Sequence, residues 1–208
     1  MPGQTDLLVW VDCEMTGLDP ENDELVEIAV VVTDFELQAL DDGLDLLISP
    51  SPAALERMSD FVRAMHAGSG LLEELAEGLP LAQAEARVLE YLDRFVPAEK
   101  RPPLAGNTIG TDRAFIARHM PRLDARLHYR NVDVSSVKEL SRRWYPSAYA
   151  AAPAKNGGHR ALADIRESIR ELDYYRRTVF VAPPGPDREA AVQAAQAAVE
   201  AFSPTAEV

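Results

Sequence analysis

Three apolar runs crowd into the first fifty residues, and their spacing limits the fold more than any other feature of the chain. Residues 7–13 (LLVWVDC), 25–34 (LVEIAVVVTD) and 44–48 (LDLLI) are rich in Val, Ile and Leu, as strands are. The segment 16–24 (TGLDPENDE) carries the Gly, Pro, Asn and Asp of a turn. Connections this short pair strands antiparallel, because a parallel crossover needs a dozen residues or more. Ser49-Pro50-Ser51-Pro52 ends the unit.

The pattern then changes. Residues 53–96 read as two or three helical pieces, interrupted at Gly68 and Gly70 and restarted at Pro80. Leu81, Ala84, Val88, Leu92 and Phe95 give the last piece one apolar face. Residues 103–106 read as a short buried strand, 109–119 as its helix and 128–134 as a last strand. Ser136-x-x-Glu139 has the form of a capping box for a helix ending near Trp144. Residues 145–158 read as a Pro/Ala/Gly-rich loop. A long helix over 159–178 follows, with Leu162, Ile165, Ile169, Leu172 and Tyr175 facing a core. The expected class is α/β, a mixed sheet flanked by helices. One domain over 1–180 is expected, with 181–208 as a Pro/Ala-rich tail.

Charge is segregated. Residues 1–50 hold 13 acids and no Lys or Arg, whereas residues 101–180 hold 15 bases against 8 acids. The net charge of −13 argues against coating a long nucleic acid, which takes many Lys and Arg contacts to phosphate. A single cysteine, Cys13, excludes an internal disulfide framework and a multi-Cys zinc site. No secretory leader pattern and no membrane-length apolar run stands out, so a cytoplasmic protein without membrane association is expected.

Asp12 and Glu14 lie two apart at the end of a strand, so their carboxylates share a face and Cys13 points the other way. Either the strand ends there and both reach water, or a divalent cation offsets their repulsion. Asp112 and Asp164 each fall in the first turn of a helix, where the dipole alone explains an acid. His159 follows Gly157 and Gly158, a setting that suits a surface group able to reach a substrate. Taken together, four carboxylates from separate segments can hold two Mg²⁺ or Mn²⁺ ions for phosphoryl transfer, hard oxygen donors favouring these over Zn²⁺. A nearby His can take the proton of an attacking water.

This set, Asp12-x-Glu14, then Asp112, then His159 and Asp164, resembles the DEDDh 3′-to-5′ exonucleases, a family with the ribonuclease H-like fold. Longer segments carry the likeness: WVDCEMTGLDP (10–20), GNTIGTDRAFIARHMP (106–121), HYRNVDVSSVKELSRRWYP (128–146) and GGHRALADIRESIRELDYYR (157–176). It spans about residues 6–180. The resemblance implies a five-stranded sheet of three antiparallel N-terminal strands followed by parallel ones. It makes Asp12, Glu14, Asp112 and Asp164 the metal ligands and His159 the general base. It makes Leu18 a wedge between bases. Phe61 stands where relatives often place a stacking Trp, and His66 near the 3′ end. Thr108, Arg130, Ser135 and Ser136 match positions that enclose a 5′ phosphate, and Tyr129 one that reaches the partner subunit's site in a homodimer. An enclosed 5′ phosphate implies very short RNA oligonucleotides as substrates, 5′-phosphorylated dinucleotides above all, cut to nucleoside 5′-monophosphates. The competing expectations are trimming of longer RNA or DNA 3′ ends, and an inactive nucleic-acid-binding adaptor on the same fold.

Other features have plainer readings. Trp10 reads as core, Trp144-Tyr145 as core or interface, and Cys13 as a buried structural thiol. Arg142-Arg143 and Arg176-Arg177 read as solvated helix ends. Glu27 and Asp133 fall on strands near the acidic face, where either could support a ligand.

Overall fold

The computed structural model describes residues 6–155 and 158–202; Asn156 and Gly157, in the expected loop, lie outside them. In chain order come strands β1 (Leu7–Met15), β2 (Leu25–Asp34) and β3 (Leu44–Leu47), then helices α1 (Pro52–Arg57), α2 (Asp60–Gly68) and α3 (Leu71–Glu74), a 3₁₀ turn (Leu75–Glu77) and α4 (Leu81–Asp93). There follow β4 (Leu104–Gly106), α5 (Gly110–His119), α6 (Pro121–Asp124), β5 (Asn131–Asp133), α7 (Val134–Trp144), α8 (Pro146–Ala150), α9 (Ala161–Thr178) and α10 (Arg188–Phe202).

The sheet runs β3-β2-β1-β4-β5. β1 pairs antiparallel with β2 and β2 with β3, while β4 lies parallel to both β1 and β5. The mixed five-stranded sheet expected from the runs and the resemblance is therefore the observed one. Alternation along β1 splits its side chains between two cores. Val9, Val11 and Cys13 pack with Val88, Leu92, Phe115 and Ile116 of α4 and α5. Leu8 and Trp10 pack with Val134, Ala161 and Ile165 of α7 and α9. Trp10 is fully buried and its indole N–H donates to Thr33 Oγ1 at 2.9 Å. Asp12 and Glu14 continue the Trp10 face toward the first turn of α9. At Gly106 any Cβ would stand 2.9 Å from the Val11 carbonyl, so only glycine lets β4 come this close to β1.

Several expectations change. β1 runs through Asp12 and Glu14 to Met15, so both acids lie inside a paired strand, not beyond its end. The capping box at Ser136 is not formed. Asp133 caps α7 instead, taking the backbone N–H groups of Ser135 and Ser136, each at 3.2 Å. Glu139 pairs with Arg142 and Arg143. An aspartate at the cap satisfies two orphan amides at once and begins the helix three residues earlier. The stretch read as a loop contains α8, started by Pro146 in its first turn. The tail does form a helix, α10, with no buried residue. Among the described residues no helix is long and apolar enough to cross a membrane.

Candidate active site

The sheet positions the acids. Glu14 lies opposite Glu27 in the β1–β2 register, and the pairing slips between Glu14 and Met15. A bulge of this kind re-aims the side chain beside it. Glu14 is 8% exposed and Asp112 6%. Asp112, in the first turn of α5, reaches across to β1, where its Oδ1 accepts the Cys13 N–H at 2.9 Å. Asp164 sits in the first turn of α9. His159 precedes that helix, exposed, with a left-handed φ of 46°. One ligand atom each from Glu14, His159 and Asp164 lies within 4.8 Å of the others.

This proximity is electrostatically costly. Burial, then repulsion from Asp112, Glu14 and Asp164, holds the Asp12 carboxyl well above the usual carboxylate range. Burial pushes Glu14 up to about 8, with Glu27, Asp164 and Asp112 adding to it and Arg160 opposing. Asp112 is pushed up to about 7 by burial, against the Cys13 hydrogen bond. Asp164 is raised by burial and Glu167, and held back by His159 and Lys155. Carboxylates stacked at the edge of water, hard oxygen donors whose repulsion Arg160 and Lys155 offset only in part, fit a divalent cation, which removes that repulsion directly.

Glu27 was marked in the sequence only by position. It is fully buried; its Oε1 accepts Arg160 Nε and its Oε2 accepts the Ala161 N–H, both at 2.9 Å. The signal available in the sequence was a lone charge inside an otherwise apolar strand, which demands a partner. His66 is also fully buried. Its Nε2 donates to the Met15 carbonyl at 2.9 Å, and its Nδ1, without a hydrogen bond, faces Glu14 Oε2 at 3.9 Å. His66 thus stands behind Glu14, not on the open surface.

Two exposed apolar side chains flank the acids, Leu18 and Phe61, each 77% exposed. Leu18 rides the turn after β1. That turn is tied by Asp23, which accepts from Thr16 Oγ1 and the Asp19 N–H, and Gly17 leaves no room for a Cβ against it. Phe61, on α2, lines a cleft of about 510 Å³ together with Met65, Ser69 and His159.

Thr108, Ser135 and Ser136 do come together, beyond the ends of β4 and β5. The Thr108 N–H donates to Ser135 Oγ at 2.7 Å and to Asp133 Oδ1 at 2.9 Å, and Ser136 Oγ donates to Asp133 Oδ2 at 2.6 Å. Ser135 Oγ also donates to Asn107 Oδ1 at 3.2 Å. Arg130 is not part of this group within one chain. It precedes β5 whereas the serines follow it, and it lines a cavity of about 310 Å³ with Phe35, Lys100 and His128. Its guanidinium lies 5.3 Å from the centre of the Tyr129 ring, and Tyr129 is 74% exposed. Trp144 and Tyr145 are surface groups, and Cys13 is buried.

The chain is similar to known proteins. The exonuclease family model RNase_T matches residues 9–172. An oligoribonuclease of Leifsonia xyli is 62% identical over 203 residues, 98% of each chain. One of Streptomyces griseus is 59% identical, covering 91% of this chain and 94% of its own. Among solved structures, exonuclease I of Methylocaldum szegediense superposes with a TM-score of 0.62 at 20% identity, over 84% of this chain and 41% of that one. The zinc-bound E. coli exonuclease I complex with single-stranded DNA gives 0.64 at 16%, over 85% and 41%. This chain thus spans under half of those two larger proteins, and that likeness concerns the fold alone.

Proposed function

The chain belongs to the exonuclease family and, within it, to the oligoribonucleases, and on that premise we propose that it is a metal-dependent 3′-to-5′ exoribonuclease of very short oligoribonucleotides. The observation that carries this reading is the convergence of Glu14, His159 and Asp164, with Asp12 and Asp112 coupled to them, at one end of the sheet. Asp12, Glu14, Asp112 and Asp164 would hold two divalent ions, Mg²⁺ or Mn²⁺. When bound, such ions activate a water and neutralise charge on the phosphodiester. His159, exposed and beside Glu14 and Asp164, takes the proton of the attacking water. The scissile phosphate lies against the acids, the 3′ base stacks on Phe61, and Leu18 wedges between the two bases. His66 serves the 3′ end by holding Glu14 and the Met15 carbonyl in place.

The 5′ phosphate is assigned to Thr108, Ser135 and Ser136. Asp133 already occupies the Ser135 and Ser136 amides, so the donors assigned are the hydroxyls, which rotate from their present acceptors, Asp133 and Asn107, toward the phosphate. The counter-charge is Arg130. Its stacking against Tyr129 supports their moving as one unit, reaching the neighbouring site in a homodimer. A dinucleotide satisfies both ends, while a longer chain leaves the cap donors unpaired. The exonuclease domain is assigned to 1–180 and the remainder to a tail.

The test is single-turnover hydrolysis of 5′-phosphorylated RNA of two to seven residues with Mg²⁺ or Mn²⁺. The dimer of nucleotides is expected to turn over at least tenfold faster than the heptamer, releasing nucleoside 5′-monophosphates. Equal rates at all lengths overturn the length selection, and no hydrolysis overturns the reading.

A further inference from the structure

α9 enters the site by a strained route. His159 has φ 46°, in the left-handed region, and the next residue returns to extended backbone at φ −130° and ψ 120° before the helix begins. A left-handed non-glycine residue is strained, and survives only where its surroundings over-determine it. No side chain caps α9 at its own N-cap residue, Arg160. Glu27 does so from the neighbouring β2 strand. Its two carboxylate oxygens take the Ala161 amide and the Arg160 Nε, each at 2.9 Å. Arg160 also reaches Glu74 of α3, at 3.0 Å.

We infer that Glu27 is a positioning residue for the hydrolytic step: through its paired bonds to Arg160 and Ala161 it sets the turn from which His159 and Asp164 face Glu14. The inference rests on the exonuclease reading above. Glu27 lies directly across the strand pair from Glu14, so one rigid ladder carries both the ligand and the anchor of the helix opposite it. A fully buried carboxylate so close to other acids adds repulsion, and a merely structural role would be met by an apolar residue. A glutamate suits this place because the turn needs an acceptor for a backbone amide and a guanidinium at once. Neither Glu27 nor Arg160 lines the Phe61 cleft, although His159 borders it, and neither bonds to the Thr108–Ser135 group, so the effect is expected chiefly on the chemical step.

The experiment compares Glu27→Gln, Arg160→Gln and the double variant on a 5′-phosphorylated dinucleotide, reading kcat, KM and the thermal midpoint. Each single change is expected to lower kcat tenfold or more, with KM within threefold of the parent and the fold retained. The double variant is expected to be little worse than either single one, because both break the same clamp. A kcat within twofold of the parent in Glu27→Gln overturns the inference, as do multiplying effects in the double variant or a loss confined to KM. If Glu27→Gln does not fold, the kcat and KM of Arg160→Gln, whose side chain is one-third exposed, decide the matter on the same criteria. Absence of turnover in the parent itself strikes the exonuclease reading instead, so the two failures are distinguishable.

Discussion

Stripping divalent cations with EDTA leaves Glu14 buried among Glu27, Asp164 and Asp112, and the consequence is a stability that falls as pH rises. The Glu14 carboxyl titrates near 4.5 in an unfolded chain and about 8 in the folded one. Between those values the folded state binds the extra proton, so the unfolded state gains ground with every step up in pH. Its contribution is fully present below pH 4.5 and is lost as pH passes through about 8. Integrated from pH 5.5 to pH 8, Glu14 alone removes about 3 kcal/mol. Asp112, pushed up to about 7, acts in the same direction, though the two are coupled and do not simply add. Carboxylates with lowered values, such as Glu171 between Lys138 and Lys155, lose their contribution only at more acid pH, outside this window. For a chain of this size, 3 kcal/mol corresponds to a drop of roughly 6–12 °C in the thermal midpoint. The assay is a thermal melt in EDTA across pH 5.5–8, repeated with Mg²⁺ or Mn²⁺. The cation is expected to restore most of the loss at pH 8 and little at pH 5.5, and Glu14→Gln is expected to flatten the EDTA profile. A midpoint that stays level or climbs toward pH 8 in EDTA refutes the electrostatic argument.

Other outcomes follow from the same geometry. Asp12→Ala is expected to abolish dinucleotide hydrolysis while leaving the circular dichroism spectrum unchanged; an undiminished rate removes the metal assignment. Phe61→Ala is expected to raise KM about 5- to 150-fold, the worth of one stacked base, with kcat nearly unaltered. Gly106→Ala forces a methyl to 2.9 Å from the Val11 carbonyl and is expected to cost about 1–3 kcal/mol in a denaturant titration. Ending the chain after Asp187 removes α10, which buries nothing, so the thermal midpoint and the dinucleotide rate are expected to hold within experimental error.

Much of the fold was legible because its signals are local. Apolar runs of strand length, the turn chemistry of 16–24, and the 3.6-residue stripe of Ala84, Val88 and Leu92 each act within one segment. Local signals failed where two partners compete for the same backbone groups. Asp133 outcompeted Ser136 for the amides of α7 because it sits at a strand end already aimed at them. α8 was hidden because Ala, Ser and Tyr after Pro146 carry no apolar stripe, and none of its residues is buried.

The candidate site divides along the same line. Period-2 geometry put Asp12 and Glu14 on one face but left a water-exposed strand end equally open, and it was the resemblance to the DEDDh exonucleases that set Asp112, His159 and Asp164 beside them. That these groups stand together is a long-range fact, decided by β4 lying beside β1 and by α9 folding back over the sheet. Only that folding gives Glu27 its partners, 133 and 134 residues away in the chain. Only that folding turns His66 inward behind Glu14 and sends Arg130 to the far end of β5 from the serines. A charge or a hydroxyl can be read from a sequence because its chemistry is its own; its burial and its neighbours belong to the packed molecule.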